Sequence, residues 1–108
     1  MMLIEETNVP DAVLPVEAFR MHLRLGSGFG QDGLQDPVLR SFLRAAIAAV
    51  EARTGKVLIT RRFALSLTFW RDAAAQVLPV APVQEVARVA LVARDGTETQ
   101  VDPDRYWL

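Results

Sequence analysis

Cysteine is absent from the sequence. That excludes disulfide staples, thiolate metal ligands and a cysteine nucleophile, and it permits a reducing compartment. Histidine occurs once, at His22, so any Ser-His pair or multi-histidine metal site would have to be built from that residue alone. No apolar run approaches the roughly 20 residues that cross a bilayer. The start, Met1-Met2-Leu3-Ile4-Glu5-Glu6, has neither a basic leader nor an apolar h-region. A soluble cytoplasmic product is expected. An excess of one charge is missing too: 12 basic and 13 acidic side chains leave a formal charge of -1. A dedicated nucleic-acid binder normally carries a basic surplus, because Lys and Arg displace counterions from the phosphate backbone.

What remains is an ordinary globular composition, 51% apolar and 23% charged over 108 residues, enough for one domain with one modest core. A first short helix is predicted over about Pro15 to Leu25, with Val16, Phe19 and Leu23 at helical spacing. Four of the six glycines then fall within Gly26 to Gly33. So many glycines cost a helix too much backbone entropy, which predicts a flexible linker over 26–35. A second helix is predicted near 37–54, with Asp36 as its N-cap, Pro37 at its first position and Gly55 as its stop. Leu39, Phe42, Leu43, Ala46, Ile47 and Val50 form one apolar stripe along it. Burying the larger of these contributes on the order of 8 to 15 kcal/mol gross. Ordering the backbone costs at least as much, so the helix is expected to persist only when docked.

After Gly55 the apolar period shortens to 2, with Val57, Ile59, Phe63, Leu65, Leu67 and Phe69 on one face and Thr60, Arg62, Ser66 and Thr68 on the other, which predicts a long strand with one wet face. Arg61 interrupts it and suits a bulge, a strand start or an arginine leaving the core at its rim. Arg71 to Gln76 reads as a loop, and Leu78-Pro79-Val80-Ala81-Pro82-Val83 as extended chain. A strand over about Val86 to Arg94 and another over Thr97 to Val101 flank Asp95-Gly96, the two-residue signature of a type I′ hairpin. The apolar ending Tyr106-Trp107-Leu108 suits a strand that pairs with another element, or a natural chain that continues further. The fold class is therefore α+β, with two N-terminal helices packed on a small antiparallel sheet and a C-terminal hairpin. Its parts are an N-terminal arm (1–13), a helical part (14–56) and a β part (57–108).

Residues that could carry chemistry are few. Gly28-Phe29-Gly30-Gln31-Asp32-Gly33 matches G-x-G-x-x-G, but the dinucleotide motif follows a strand inside a βαβ unit, and here a helix precedes it. Ser41 and Ser66 lack a nucleophile-elbow context. Asp102 with Asp104 and Asp95 with Glu98 are explained by turn chemistry. No catalytic, cofactor or metal residue is assigned. Arg20 with Arg24 and Arg40 with Arg44 are like-charge pairs at i, i+4, which cost a few tenths of a kcal/mol unless compensated. Their guanidinium forks suit carboxylates of a neighbouring subunit or phosphates. Trp70 and Trp107 join them as candidate interface anchors.

The order of motifs resembles the head-tail connector, or adaptor, family of tailed phages, prophages and gene transfer agents. The resemblance covers about residues 14 to 106. It rests on His22-Leu23-Arg24 before an acidic helix start, on E-x-x-T-G-x-x-L-I-T over Glu51 to Thr60, and on L-P-x-x-P-V-x-x-V over Leu78 to Val86. Asp95-Gly96 leading to Asp102-Pro103-Asp104-Arg105-Tyr106 completes it. The resemblance implies a dodecameric ring beneath a portal protein that extends the channel for double-stranded DNA and offers a platform to a tail or stopper protein. It carries no catalytic residues, cofactor or membrane. Such a protein would assemble in the bacterial cytoplasm and end at the head-tail junction of a particle. A near-neutral charge suits a conduit, since a strongly basic lining would hold DNA in place. Family members usually continue into further helical sequence past the position of Leu108. The alternatives are a tail-completion or stopper protein of the same particle, or a small ligand-binding domain using the Gly28 to Gly33 loop.

Overall fold

In the computed structural model, which describes residues 1–23 and 32–108, helices and strands form a mixed α+β architecture. Strand β1 (Met2–Glu5) leads through a 3-10 turn (Asp11–Val13) to α1 (Val16–His22) and then α2 (Asp32–Thr54). Three short strands follow: β2 (Phe63–Ser66), β3 (Ala90–Val92) and β4 (Glu98–Gln100), with a last 3-10 turn at Pro103–Arg105. The strands make two separate antiparallel pairs, β1 with β2 and β3 with β4.

Helix α2 starts at Asp32, earlier than its sequence signals predict. Asp36 is therefore no N-cap and Pro37 lies inside the helix, while residues 32–35, expected in the linker, are helical. Asp36 has a different use: its carboxylate accepts a hydrogen bond from Arg20 of α1 and ties the two helices together. The linker residues 26–31 lie outside the described residues. At the other end Gly55 takes φ +67° and its N–H reaches the Glu51 carbonyl, a left-handed cap that costs a glycine nothing.

The apolar stripe of α2 splits in two. Leu39 is buried and Leu43 and Ile47 are half-buried on the face turned toward the rest of the molecule. Val38, Phe42, Ala45 and Ala49, at i, i+4, i+7 and i+11, are all exposed on the opposite face. The expected single stripe straddles these faces, and its members Phe42, Ala46 and Val50 remain open.

The N-terminal arm is partly strand. β1 pairs with β2 in the register Leu3↔Leu65 and Ile4↔Ala64, and the ladder extends through Glu6 N–H to the Arg62 carbonyl. The long strand predicted over 57–69 is correspondingly broken. Lys56 and Ala81 form a parallel bridge in which the Val57 N–H meets the Ala81 carbonyl and the Ala81 N–H meets the Gly55 carbonyl. Leu58 then turns its N–H to the Glu51 carboxylate, and β pairing resumes only at Phe63. A strand persists only where a partner ladder exists, and β1 supplies one for four residues alone. The Ala81–Pro82 peptide is cis.

The C-terminal hairpin differs from its predicted type. Gly96 N–H bonds the Ala93 carbonyl and Ala93 N–H bonds the Thr97 carbonyl, with Gly96 at φ +86°. That closes a three-residue loop, a type I turn followed by a left-handed glycine bulge, rather than a two-residue I′ turn. The strands of the hairpin are also shorter than predicted, although a further bond from Val101 N–H to the Val89 carbonyl prolongs the pairing.

Candidate assembly interface

The inside of the molecule is held as much by charge as by apolar packing. Among the described residues only Val9, Leu14 and Leu39 are buried apolar side chains, and the fourth buried residue is Arg20, 7% exposed. Arg20 holds Asp36 and approaches Glu17 at 3.6 Å. Arg40 and Arg44 both turn back to Asp11, at 3.8 and 2.5 Å, and Arg44 also donates to the Val9 carbonyl at 2.8 Å. The i, i+4 repulsion between them is thereby offset by one shared carboxylate. The Arg44 hydrogen bond and charge hold the Asp11 carboxyl below its ordinary value.

Arg61, the interruption in the apolar alternation, lies just ahead of β2 with its side chain nearly buried. It donates to Glu51 of α2, stands 3.6 Å from Glu5 of β1 and lies over the Phe63 ring at 5.5 Å. Burial pushes the Glu51 carboxyl up, but the Leu58 N–H and the Arg61 guanidinium outweigh it, and the net shift is downward. One arginine thus joins α2, β1 and β2. The signal for it was the break at Arg61 itself; its partners were not readable from spacing, since Glu5 and Glu51 are remote in sequence. A cavity of about 160 Å³ lies between these latches, lined by Val9, Leu14, Ile47, Arg44, Glu51 and Arg61. Its charged groups already have partners: Arg61 with Glu5 and Glu51, and Arg44 with Asp11.

The remaining polar candidates serve local structure. Asp102 accepts the Asp104 N–H at 3.0 Å and opens the last 3-10 turn. Asp95 accepts the Thr97 N–H at 2.9 Å, which lowers its carboxyl, and Glu98 pairs with Arg88. His22 ends α1 at the surface. Among the described residues no three His, Cys, Asp or Glu side chains gather as a metal site would need. No helix among them is long and apolar enough to cross a membrane. The Gly28 to Gly33 motif falls largely outside the described residues; Asp32 and Gly33 belong to α2.

Of the six interface candidates, Arg20, Arg40 and Arg44 are engaged within the chain, and Arg24 lies outside the described residues. Trp70 is half exposed and Trp107 is 89% exposed. Sequence reasoning missed two further apolar surfaces: the outward face of α2 and both faces of the β3–β4 hairpin, where Leu91 and Val92 are exposed.

Charges paired inside and apolar faces turned outward define a small α+β packing module. The comparisons with known proteins agree. No protein-family model matches the chain and no curated protein does, but solved structures do. One is a protein from the neck of an empty gene transfer agent (GTA) particle computed with C6 symmetry. It is 55% identical, with a TM-score of 0.88, over 94% of this chain and 52% of that one. Another, from the virion of a native gene transfer agent particle, is 55% identical with a TM-score of 0.84, over 94% of this chain and 53% of that one. That likeness supports a head-tail connector-type family, and the chain spans about half the length of the solved proteins it matches.

Proposed function

We propose that the chain is a structural, non-catalytic subunit of the neck of a phage-like gene transfer particle. Copies of it form a ring that joins the portal to the tail and extends the DNA channel. The observation that carries this reading is the 55% identity and 0.88 TM-score to a protein from such a neck. The chemistry of the chain supports it: the candidate polar groups are absorbed in turns and ion pairs, whereas apolar side chains are displayed outward. Sixfold averaging of the related neck is compatible with a dodecameric ring. Trp70, Trp107 and the exposed parts of Arg40 and Arg44 belong, in this reading, to contacts with the neighbouring copy, the portal or the tail. Arg20 bears on the same contacts through its tie between α1 and α2, and Arg24 is assigned to them by residue type alone. The net charge of -1 lets double-stranded DNA pass without being held. Assembly takes place in the bacterial cytoplasm.

The test is location and copy number. Particles carrying an epitope-tagged chain, imaged by electron microscopy and quantified by mass spectrometry against the portal protein, should show the tag at the head-tail junction with as many copies as portal subunits. Absence from the junction rejects the reading. Presence on the tail side, away from the portal, favours a tail-completion or stopper role instead.

A further inference from the structure

The chain exposes far more surface than a folded protein of its size keeps. Its accessible area is 8969 Å², against roughly 6,000 Å² for a compact monomer of 12.0 kDa. The surplus of roughly 3,000 Å² falls in the range that obligate subunits bury between them. The radius of gyration, 19.3 Å, likewise exceeds the roughly 13 Å of a compact chain of this length.

Two of the exposed apolar patches lie on regular elements, and they differ in kind. One is the outward stripe of α2, Val38, Phe42, Ala45 and Ala49, in which Phe42 is 60% exposed. A helix apolar on both faces is the signature of a helix covered on both faces, and the alanines let a partner approach closely. The other is the β3–β4 hairpin. Leu91 and Val92 are neighbours on one strand, so they point to opposite faces, and they are 67% and 65% exposed. An isolated two-stranded hairpin is marginal in water, and among the described residues this one packs extensively on neither α1 nor α2.

We propose that the hairpin of one copy packs on the outward face of α2 in the next, joining copies head to tail. This rests on the reading of the chain as a neck ring subunit. A rotational ring needs a heterologous contact, two different patches that meet at every junction, and the related neck was computed with cyclic symmetry. Donor and acceptor patches on one chain meet that need, whereas a patch that binds its own kind would stop at a dimer.

The absence of cysteine makes the test clean. The double variant Leu91→Cys with Phe42→Cys, both at exposed sites, is oxidised as purified chain at its highest soluble concentration and again in particles. Products are resolved without reductant and the linked residues identified by mass spectrometry. The expected result is a ladder of multimers joined 91 to 42, which each single variant and the pair Leu91→Cys with Val77→Cys fail to give. Dimers from either single variant, a link within one chain, or no ladder in either setting overturns the proposal. Circular dichroism of the reduced variants, matching the parent, separates failed docking from failed folding. If the variant is found at the particle neck without a ladder, the hairpin contact falls and the neck assignment stands. If the chain is missing from particles but ladders in solution, the reverse holds.

Discussion

At the residue scale, Arg61 is the side chain on which the described structure depends most. It is nearly buried, and it holds Glu51 of α2 beside Glu5 of β1. Removing one partner of a buried ion pair leaves the other charge desolvated, which costs more than the pair contributes. Arg61→Ala is therefore expected to destabilise the chain by about 3 kcal/mol in urea unfolding. Arg61→Met together with Glu51→Leu, which removes both charges and keeps volume, should recover most of that loss. Arg40→Ala should cost far less, because its pairing with Asp11 is open to solvent.

The same latches fix the pH response. Asp11 and Glu51 both titrate lower in the folded chain than their ordinary values of 3.8 and 4.5. The unfolded state thus binds more protons, and stability rises with pH through that window. Their contribution is fully present above the unfolded values and is lost as pH falls through the folded ones. Urea midpoints measured from pH 6 down to pH 3, bracketing those values, should fall steadily below about pH 5. Glu51→Gln should flatten the slope, and an unchanged slope in that variant would assign the acid sensitivity elsewhere.

At the scale of elements, what could be read from the sequence was local and what could not was a pairing. The stop of α2 was legible because Gly55 alone tolerates φ +67° at no cost. Gly55→Ala is expected to lose about 1 to 2 kcal/mol, and Gly55→Asn less, read from thermal unfolding by circular dichroism. The place of the hairpin was legible from Asp95-Gly96. Its loop length was not, because one glycine in the left-handed region serves a three-residue loop as well as a I′ turn, and only the Ala93 to Gly96 hydrogen bond decides. The start of α2 was misplaced because Asp36 and Pro37 carry the local pattern of a cap, while the tie to Arg20 is a contact between helices. β1 went unseen because a strand of four residues has no periodicity to detect; its partner sits some sixty residues away. For the interface the two tryptophans were legible by residue type. The outward face of α2 was hidden, since an alternation over six apolar positions does not say which of two neighbouring stripes meets the core.

At the scale of the whole molecule, stability and association become one quantity. A chain with three buried apolar side chains among its described residues has little hydrophobic stabilisation to set against the entropy of ordering its backbone. The surface it leaves open offers further burial. A subunit of that kind gains stability by mass action when copies bind the folded state and not the unfolded one. The thermal midpoint should therefore rise with protein concentration, measured by scanning calorimetry over a hundredfold dilution series, or about 2.7 kcal/mol of chemical potential. The radius of gyration from small-angle scattering at the dilute end should stay well above the roughly 13 Å of a compact chain. Phe42→Asp lies on an exposed site and should leave the dilute midpoint within about 0.5 kcal/mol of the parent while removing its dependence on concentration. If instead the midpoint is the same at every concentration, the open faces of α2 and the hairpin are not where copies meet.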